Sequence, residues 1–193
     1  MKKILCPTDF SPTAENAFKY ALKLAKDIDA KVDVVNVYSL PFAAEGNMPP
    51  EYYYQMMAEK EKTVREKLTR FSSEQVNGSF GKTIAKNGIF IYRDIADLAK
   101  AEEYDLIVMG TKGEHNTFEK IMGSVTTDTM MNAHCPVLAV PELAKYEPIK
   151  SIAYATDFAP KDEHAVEQLI DISKVLNAKI HFVHIETEPA IGD

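Results

Sequence analysis

Apolar and polar positions along the first forty residues fall into two regimes. Lys3 to Thr8 is a short apolar run. From Ser11-Pro12 to about Asp27 the stretch is periodic, with Ala17, Ala21, Leu24 and Ile28 returning to one face. Lys31 to Tyr38 is short and rich in β-branched residues. The pattern predicts strand, helix, strand, the second strand buried on both faces. Ser11 suits the cap, because its hydroxyl can accept from a first-turn amide. Pro12 suits the first helical position, where its missing N–H would have been unpaired anyway.

Residues 39–50 carry Pro41, Gly46, Pro49 and Pro50 and read as a loop. Glu51 to about Ser73 reads as a long charged helix with a thin apolar stripe, Met57, Val64, Leu68 and Phe71. Tyr52, Tyr53, Tyr54, Met56 and Met57 are either a partner-binding patch or the anchoring of that helix's first turns. A strand is predicted at Lys82–Lys86, then a helix from Tyr92 to Glu103 with Ile95, Leu98 and Ala99 inward. A central strand at Asp105–Met109 ends in a glycine loop, followed by a helix from Ser124 to Asn132 and a last strand at Pro136–Val140. Five strands alternating with four helices predict an α/β domain: an open five-stranded parallel sheet, Rossmann-like, with helices on both faces, because parallel strands need crossover connections.

That domain accounts for residues 1–143, and the remainder is explained by an internal repeat. Residues from Lys150 align without gaps on those from Lys2 at an offset of 157 − 9 = 148: Thr8-Asp9-Phe10 falls on Thr156-Asp157-Phe158, Pro12 on Pro160, Ala17 on Ala165 and Ala30-Lys31 on Ala178-Lys179. Residues 144–149 are then a linker, and 150–193 hold the first βαβ of a second, incomplete copy. The expectation is a tandem protein.

The chain has 193 residues, 46% hydrophobic and 26% charged, with a net charge of −7. This is a globular composition, and an acidic chain without a block of Lys and Arg argues against nucleic acid or an anionic membrane as partner. No apolar run approaches the 18 or so residues of a membrane span, and none at the N-terminus has the form of a signal peptide. Cys6 and Cys135 stand far apart, outside any C-x-x-C pattern, as expected of reduced thiols in the cytoplasm.

The strongest chemical signal is Gly110, Gly113, Gly123 and Ser124, the pattern G-x2-G-x9-G-S. It follows a predicted buried strand and opens a helix. There, glycines let the backbone approach a polyphosphate, free helix-start amides face the anion, and Ser124 adds a hydroxyl. The alternative is that the glycines only build a turn and a cap. The second element is Pro7-Thr8-Asp9 at the carboxyl end of the first strand, where ligands collect in open parallel sheets. Asp9 can accept from an adenine amino group or a ribose, or it can orient the turn before the first helix. Neither G-x4-G-K-S/T nor G-x-G-x-x-G is present. Glu114 and His115 could assist hydrolysis or simply be solvated, and no catalytic residue is assigned. His134, His164, His181 and His184 form no metal-binding spacing. On a predicted strand, His181 and His184 would point to opposite faces.

With the P-x-D strand end, the L-A-K…A-K helix-to-strand stretch and the full glycine motif, the chain resembles the universal stress proteins of the nucleotide-binding branch, over residues 2 to about 141 and again from 150. The resemblance implies an ATP-binding, nucleotide-dependent stress-response protein with little or slow hydrolysis, ATP arriving with Mg2+. It implies Pro7, Thr8 and Asp9 at the nucleoside and the backbone of Val37 at the adenine. Gly110, Gly113, Gly123, Ser124 and Val125 would line the phosphates and ribose, with Met109 and Thr126 beside them and Lys112 in reach of a phosphate. Asn36 stands where the family frequently has histidine. The resemblance also implies a homodimer through the edge strand Pro136–Val140. Two alternatives stand beside it: a nucleotide-free interaction module acting through Tyr52–Met57, and a weak ATPase.

Overall fold

A computed structural model of the chain describes residues 1–40, 49–73, 78–111, 122–159 and 162–185. They form two compact units, 1–146 and 147–193. In the first, β1 (Lys3–Pro7), β2 (Lys31–Tyr38), β3 (Phe80–Asn87), β4 (Leu106–Gly110) and β5 (Val137–Val140) alternate with α1 (Pro12–Asp27), α2 (Pro50–Ser73), α3 (Ile91–Ala101) and α4 (Ser124–Asn132). The sheet is wholly parallel in the order β3-β2-β1-β4-β5. It is therefore the open α/β sheet expected from the alternation of elements. The order reverses between β1 and β4: the chain leaves β1 toward β2 and leaves β4 toward β5, in opposite directions. In open α/β sheets such a reversal is where the diverging connections leave a crevice at the strands' carboxyl ends.

Helix α1 begins where expected, with Ser11 Oγ accepting the amide of Ala14 at 3.2 Å and Pro12 in the first turn. Its inward face buries Ala17, Phe18, Ala21, Leu22, Leu24 and Ala25. Phe18 is fully buried and stacks on Phe71 of α2 at 5.4 Å, and Phe71 also meets the edge of Phe10 at 5.7 Å. With Val64 and Leu68, Phe71 docks the second half of α2. Each such side chain removed from water is worth about 1.5–3 kcal/mol. No residue from Pro50 to Thr63 is buried, and Tyr52, Tyr54 and Met56 are exposed, so the first half of α2 carries little of this stabilisation.

A second core cluster joins Leu5, Val35, Ile107 and Met109 of the sheet to Ile95 and Ala99 of α3 and to Tyr104. At the amino end of the strands, buried Asp33 accepts the Tyr104 hydroxyl at 2.6 Å and the Lys82 amide at 2.8 Å. The second bond lies beside a register shift between β2 and β3 at Val32/Val34. Past β5, Asn16 Nδ2 donates to the carbonyls of Pro141 and Ala144, both at 2.9 Å. The Tyr146 hydroxyl reaches Asp27 at 2.5 Å. These contacts strap residues 141–146 to α1 and carry the first unit to Tyr146.

The second unit consists of β6 (Ser151–Ala155), α5 (Asp162–Leu176) and β7 (Lys179–Val183), with β6 and β7 parallel. Their register, Ser151 against Lys179, equals that of Lys3 against Lys31 at an offset of 148. Strand β7 ends at Val183, so His184 lies just past the strand rather than on it, as the sequence pattern had suggested. Among the described residues no helix is long and apolar enough to cross a membrane.

Candidate functional site

The carboxyl ends of β1 and β4 meet at the crevice. Strand β1 ends at Pro7, and the Thr8 amide still donates to Val35 O at 2.8 Å. The chain then turns sharply. Phe10 takes the left-handed conformation at φ 67°, its amide donates to Thr8 Oγ1 at 2.9 Å, and the Ser11 amide donates to Asp9 Oδ1 at 3.0 Å. A non-glycine residue at such a φ is uncommon, and the two side-chain acceptors hold it there. Asp9 is exposed and does orient the turn. Asn36, on β2, donates from Nδ2 to the Thr8 carbonyl at 2.7 Å.

Strand periodicity places Val37. Because the Val35 carbonyl bonds β1, the main-chain groups of Val37, two residues on, face the same side. The register ends at Pro7 against Val35, so these groups stand past the end of β1, at the mouth of the crevice.

The facing wall comes from β4 and α4. The Thr111 amide donates to Val140 O at 3.1 Å and its carbonyl accepts the Gly123 amide at 2.6 Å, which brings the start of α4 to the end of β4. Buried Thr126 adds a bond from Oγ1 to Gly110 O at 2.8 Å. Gly110 is in close contact with α1: a Cβ built on it would lie 2.8 Å from Thr13 Cγ2 and 3.1 Å from the backbone C and O of Thr13. Gly123 caps α4 at φ −71°, ψ 153°, a conformation open to any residue, and provides no side-chain acceptor. Ser11 closes the start of α1, whereas at α4 the cap position is Gly123, which makes no side-chain capping bond, and the first-turn amides of Ser124, Val125 and Thr126 have no carbonyl within the helix. An uncapped helix start with the positive end of its dipole is suited to an anion.

Of the residues singled out from the sequence, Pro7 ends β1 and Thr8 and Asp9 form the turn after it, while Gly110 ends β4, Gly123 caps α4 and Ser124, Val125 and Thr126 form its first turn. Val37 reaches the crevice through its main chain. Met109 is buried with its side chain in the core cluster, so only its backbone approaches the site. Thr126 spends its hydroxyl on Gly110. Lys112 and Gly113, with Glu114 and His115, lie outside the described residues. Among the described residues no group of three His, Cys, Asp or Glu side chains could hold a metal ion. The sequence reading marked Asn36 only as standing where the family frequently has histidine, and gave Thr111 no role. For Asn36 a signal existed, since the repeat offset sets it opposite His184.

Burial raises the thiol of Cys6, in β1, to about 12 and that of Cys135, in the turn after α4, to about 11. Neither supplies a reactive thiolate beside the crevice.

The model of the universal stress protein family matches residues 1–141. Universal stress protein MJ0531 of Methanocaldococcus jannaschii is 32% identical over 146 residues, covering 72% of this chain and 81% of the relative. Universal stress protein MJ0577 of the same organism is 30% identical over 154 residues, covering 72% and 94%. The solved structure of MJ0577 superposes with a TM-score of 0.63 at 28% identity, over 76% of this chain and 98% of that one. A universal stress protein solved in complex with cAMP shares the fold at a TM-score of 0.52 and 16% identity, over 72% and 96%.

Proposed function

This chain belongs to the universal stress protein family, and from that premise we propose that its first unit binds ATP and acts as a nucleotide-dependent regulatory module of a stress response. One observation carries the reading. At the point where the sheet's strand order reverses, the Thr8–Asp9 turn stands beside a helix start whose cap residue, Gly123, supplies no side-chain acceptor, and glycine lets α1 and β4 approach closely beneath them. The turn offers a carboxylate acceptor for a nucleoside, Val37 offers main-chain donor and acceptor, and the α4 amides with Ser124 offer donors to phosphate. That the fold accommodates an adenine nucleotide in the cAMP-bound relative supports the choice of ligand class. Magnesium would accompany the phosphates rather than occupy a protein cage, in keeping with how Mg2+ is held by nucleotide phosphates elsewhere.

Regulation requires the nucleotide-bound and free states to differ in a partner surface. Strand β5 is one of the two outer strands of the sheet, and its half-exposed Val137, Leu138 and Ala139 offer an edge on which a second copy could pair. In the second unit, the shared register and offset support its reading as the first strand, helix and strand of another universal stress repeat. A second reading, interaction through α2, is favoured by the exposed Tyr52, Tyr54 and Met56 on the part of that helix without buried residues. Calorimetric titration of ATP and magnesium into nucleotide-free protein separates the two: saturable heat at one site per chain supports the first, and its absence leaves the second.

A further inference from the structure

We infer that Asn36 is a positioning residue for the nucleoside end of the site: its side-chain amide fixes the peptide between Thr8 and Asp9 and thereby aims Asp9. The inference rests on the ATP-binding reading of the first unit. Beyond Pro7 the β1–β2 ladder gives Thr8 a single main-chain bond, from its amide to Val35 O at 2.8 Å. In a continuing parallel ladder its carbonyl would be met by the backbone of β2. It is met instead by Asn36 Nδ2 at 2.7 Å. With both ends of Thr8 held, the following peptide plane has one orientation, and Asp9 leaves it in one direction. Because the side chain of Asn36 supplies the bond, the main chain of Val37 is not needed for it, which suits a group that is to meet a base.

The second unit contains an independent instance of the same device. The Thr156 amide donates to Val183 O at 3.0 Å, Phe158 is left-handed at φ 56° with its amide on Thr156 Oγ1 at 2.9 Å, and the Ala159 amide donates to Asp157 Oδ1 at 3.2 Å. Every one of these groups stands 148 residues from its counterpart. The Thr156 carbonyl is again met by a side chain from the same offset, here His184 Nδ1 at 2.8 Å, where a protonated Nδ1 donates. Asparagine and histidine differ in size, but each carries a δ nitrogen on a planar Cγ and places that donor at the same carbonyl. The donor, and not the packing of one side chain, is common to both turns.

The test uses the full chain, with calorimetry of ATP and of adenosine on wild type, Asn36→Leu and Asn36→His, and circular dichroism to establish folding. Asn36→Leu keeps the branching at Cγ and removes the donor. It should weaken ATP and adenosine by the same factor, about fivefold, the size of one net hydrogen bond, because the effect lies at the nucleoside and not the phosphates. Asn36→His should restore both to within about twofold of wild type. Should Asn36→Leu fail to fold, Asn36→Ala serves as the donor-free variant. The inference is overturned if a folded donor-free variant binds both ligands as wild type does, or if folded Asn36→His remains as weak as the donor-free variant. It is also overturned if ATP is weakened and adenosine is not. A wild-type chain that binds neither ligand refutes the ATP reading itself, and the inference with it, so the two failures are told apart before any variant is made.

Discussion

Replacing Gly110 by alanine tests whether a glycine at the end of β4 is required by the approach of α1. A methyl there would stand 2.8 Å from Thr13 Cγ2 and 3.1 Å from the backbone C and O of Thr13. Carbon pairs are most stable at about 3.5–4.0 Å, so the first contact is short by about 0.7 Å and the backbone contacts by about 0.4 Å. Thr13 is buried and sits in a first turn fixed by the Ser11 cap and Pro12, so it has little room to retreat. Overpacking of this kind costs about 1–3 kcal/mol. The loss of glycine's freedom in the unfolded chain returns about 0.4–1 kcal/mol, since Gly110 does not have positive φ. The net destabilisation is about 0.5–2 kcal/mol. At a urea dependence of about 2 kcal/mol per molar, the midpoint should fall by about 0.3–1 M. The chain has no tryptophan, so far-UV circular dichroism is the appropriate probe. Adding Thr13→Ser removes Cγ2 and the worst contact but leaves the two backbone ones, so the double variant should recover part of the loss. A Gly110→Ala midpoint at or above wild type would refute this reasoning, because it would mean that the start of α1 yields freely.

Ser11→Ala removes the side-chain acceptor of the Ala14 amide at the start of α1 and should lower stability by about 1 kcal/mol in the same urea titration. Tyr104→Phe leaves buried Asp33 without its hydroxyl donor and should cost about 1–3 kcal/mol. Burial, and then the bond to Asp33, hold the Tyr104 hydroxyl above the ordinary tyrosine range. Its contribution is whole below a pH of about 10 and is lost as pH rises beyond that, so the stability of Tyr104→Phe should decline less steeply than wild type on the alkaline side. With Cys6 raised to about 12 and Cys135 to about 11, neither should react with Ellman's reagent within minutes at pH 8 in native protein, and both should react in urea. A fast-reacting thiol in the folded chain would contradict those burials.

The alternation of strands and helices was legible because the signals behind it are local, whereas the order β3-β2-β1-β4-β5 rests on pairings between residues distant in sequence. The β-branched run Lys31–Tyr38 is a strand over those same residues, and the Gly123-Ser124 junction opens α4 where expected. Strand β3 runs Phe80–Asn87, longer than the expected Lys82–Lys86, because its first residues are ordered by partners distant in sequence, Val32 against Phe80 and Asp33 against the Lys82 amide. Helix α3 spans Ile91–Ala101, not Tyr92–Glu103. Its N-cap, Phe90, makes no side-chain capping bond and leaves no start signal, while Glu103 adopts a positive φ that ends the turn. Strand β5 starts at Val137 rather than Pro136, in keeping with the donor that proline lacks. At the site, residue types marked the two loops, but the use of each group depended on packing. Nothing in the sequence distinguishes Met109, committed to the core, from its neighbour Gly110, or shows that Thr126 is tied to a carbonyl. Asn36 was marked in the sequence only by the histidine frequent at its position, and its role emerged from its bond to Thr8 and the matching contact of His184.

The central claim is that the first unit holds an adenine nucleotide between the Asp9 turn and the start of α4. The most direct measurement is calorimetry of ATP and magnesium on nucleotide-free protein, beside Asp9→Ala, preceded by mass spectrometry of small molecules released on denaturation. The account predicts co-purified ATP or saturable binding at one site per chain, weakened at least about tenfold in Asp9→Ala as a hydrogen bond to a charged acceptor is lost. Protein that carries no nucleotide and gives no binding heat, or an Asp9→Ala chain that binds as tightly as wild type, would contradict it.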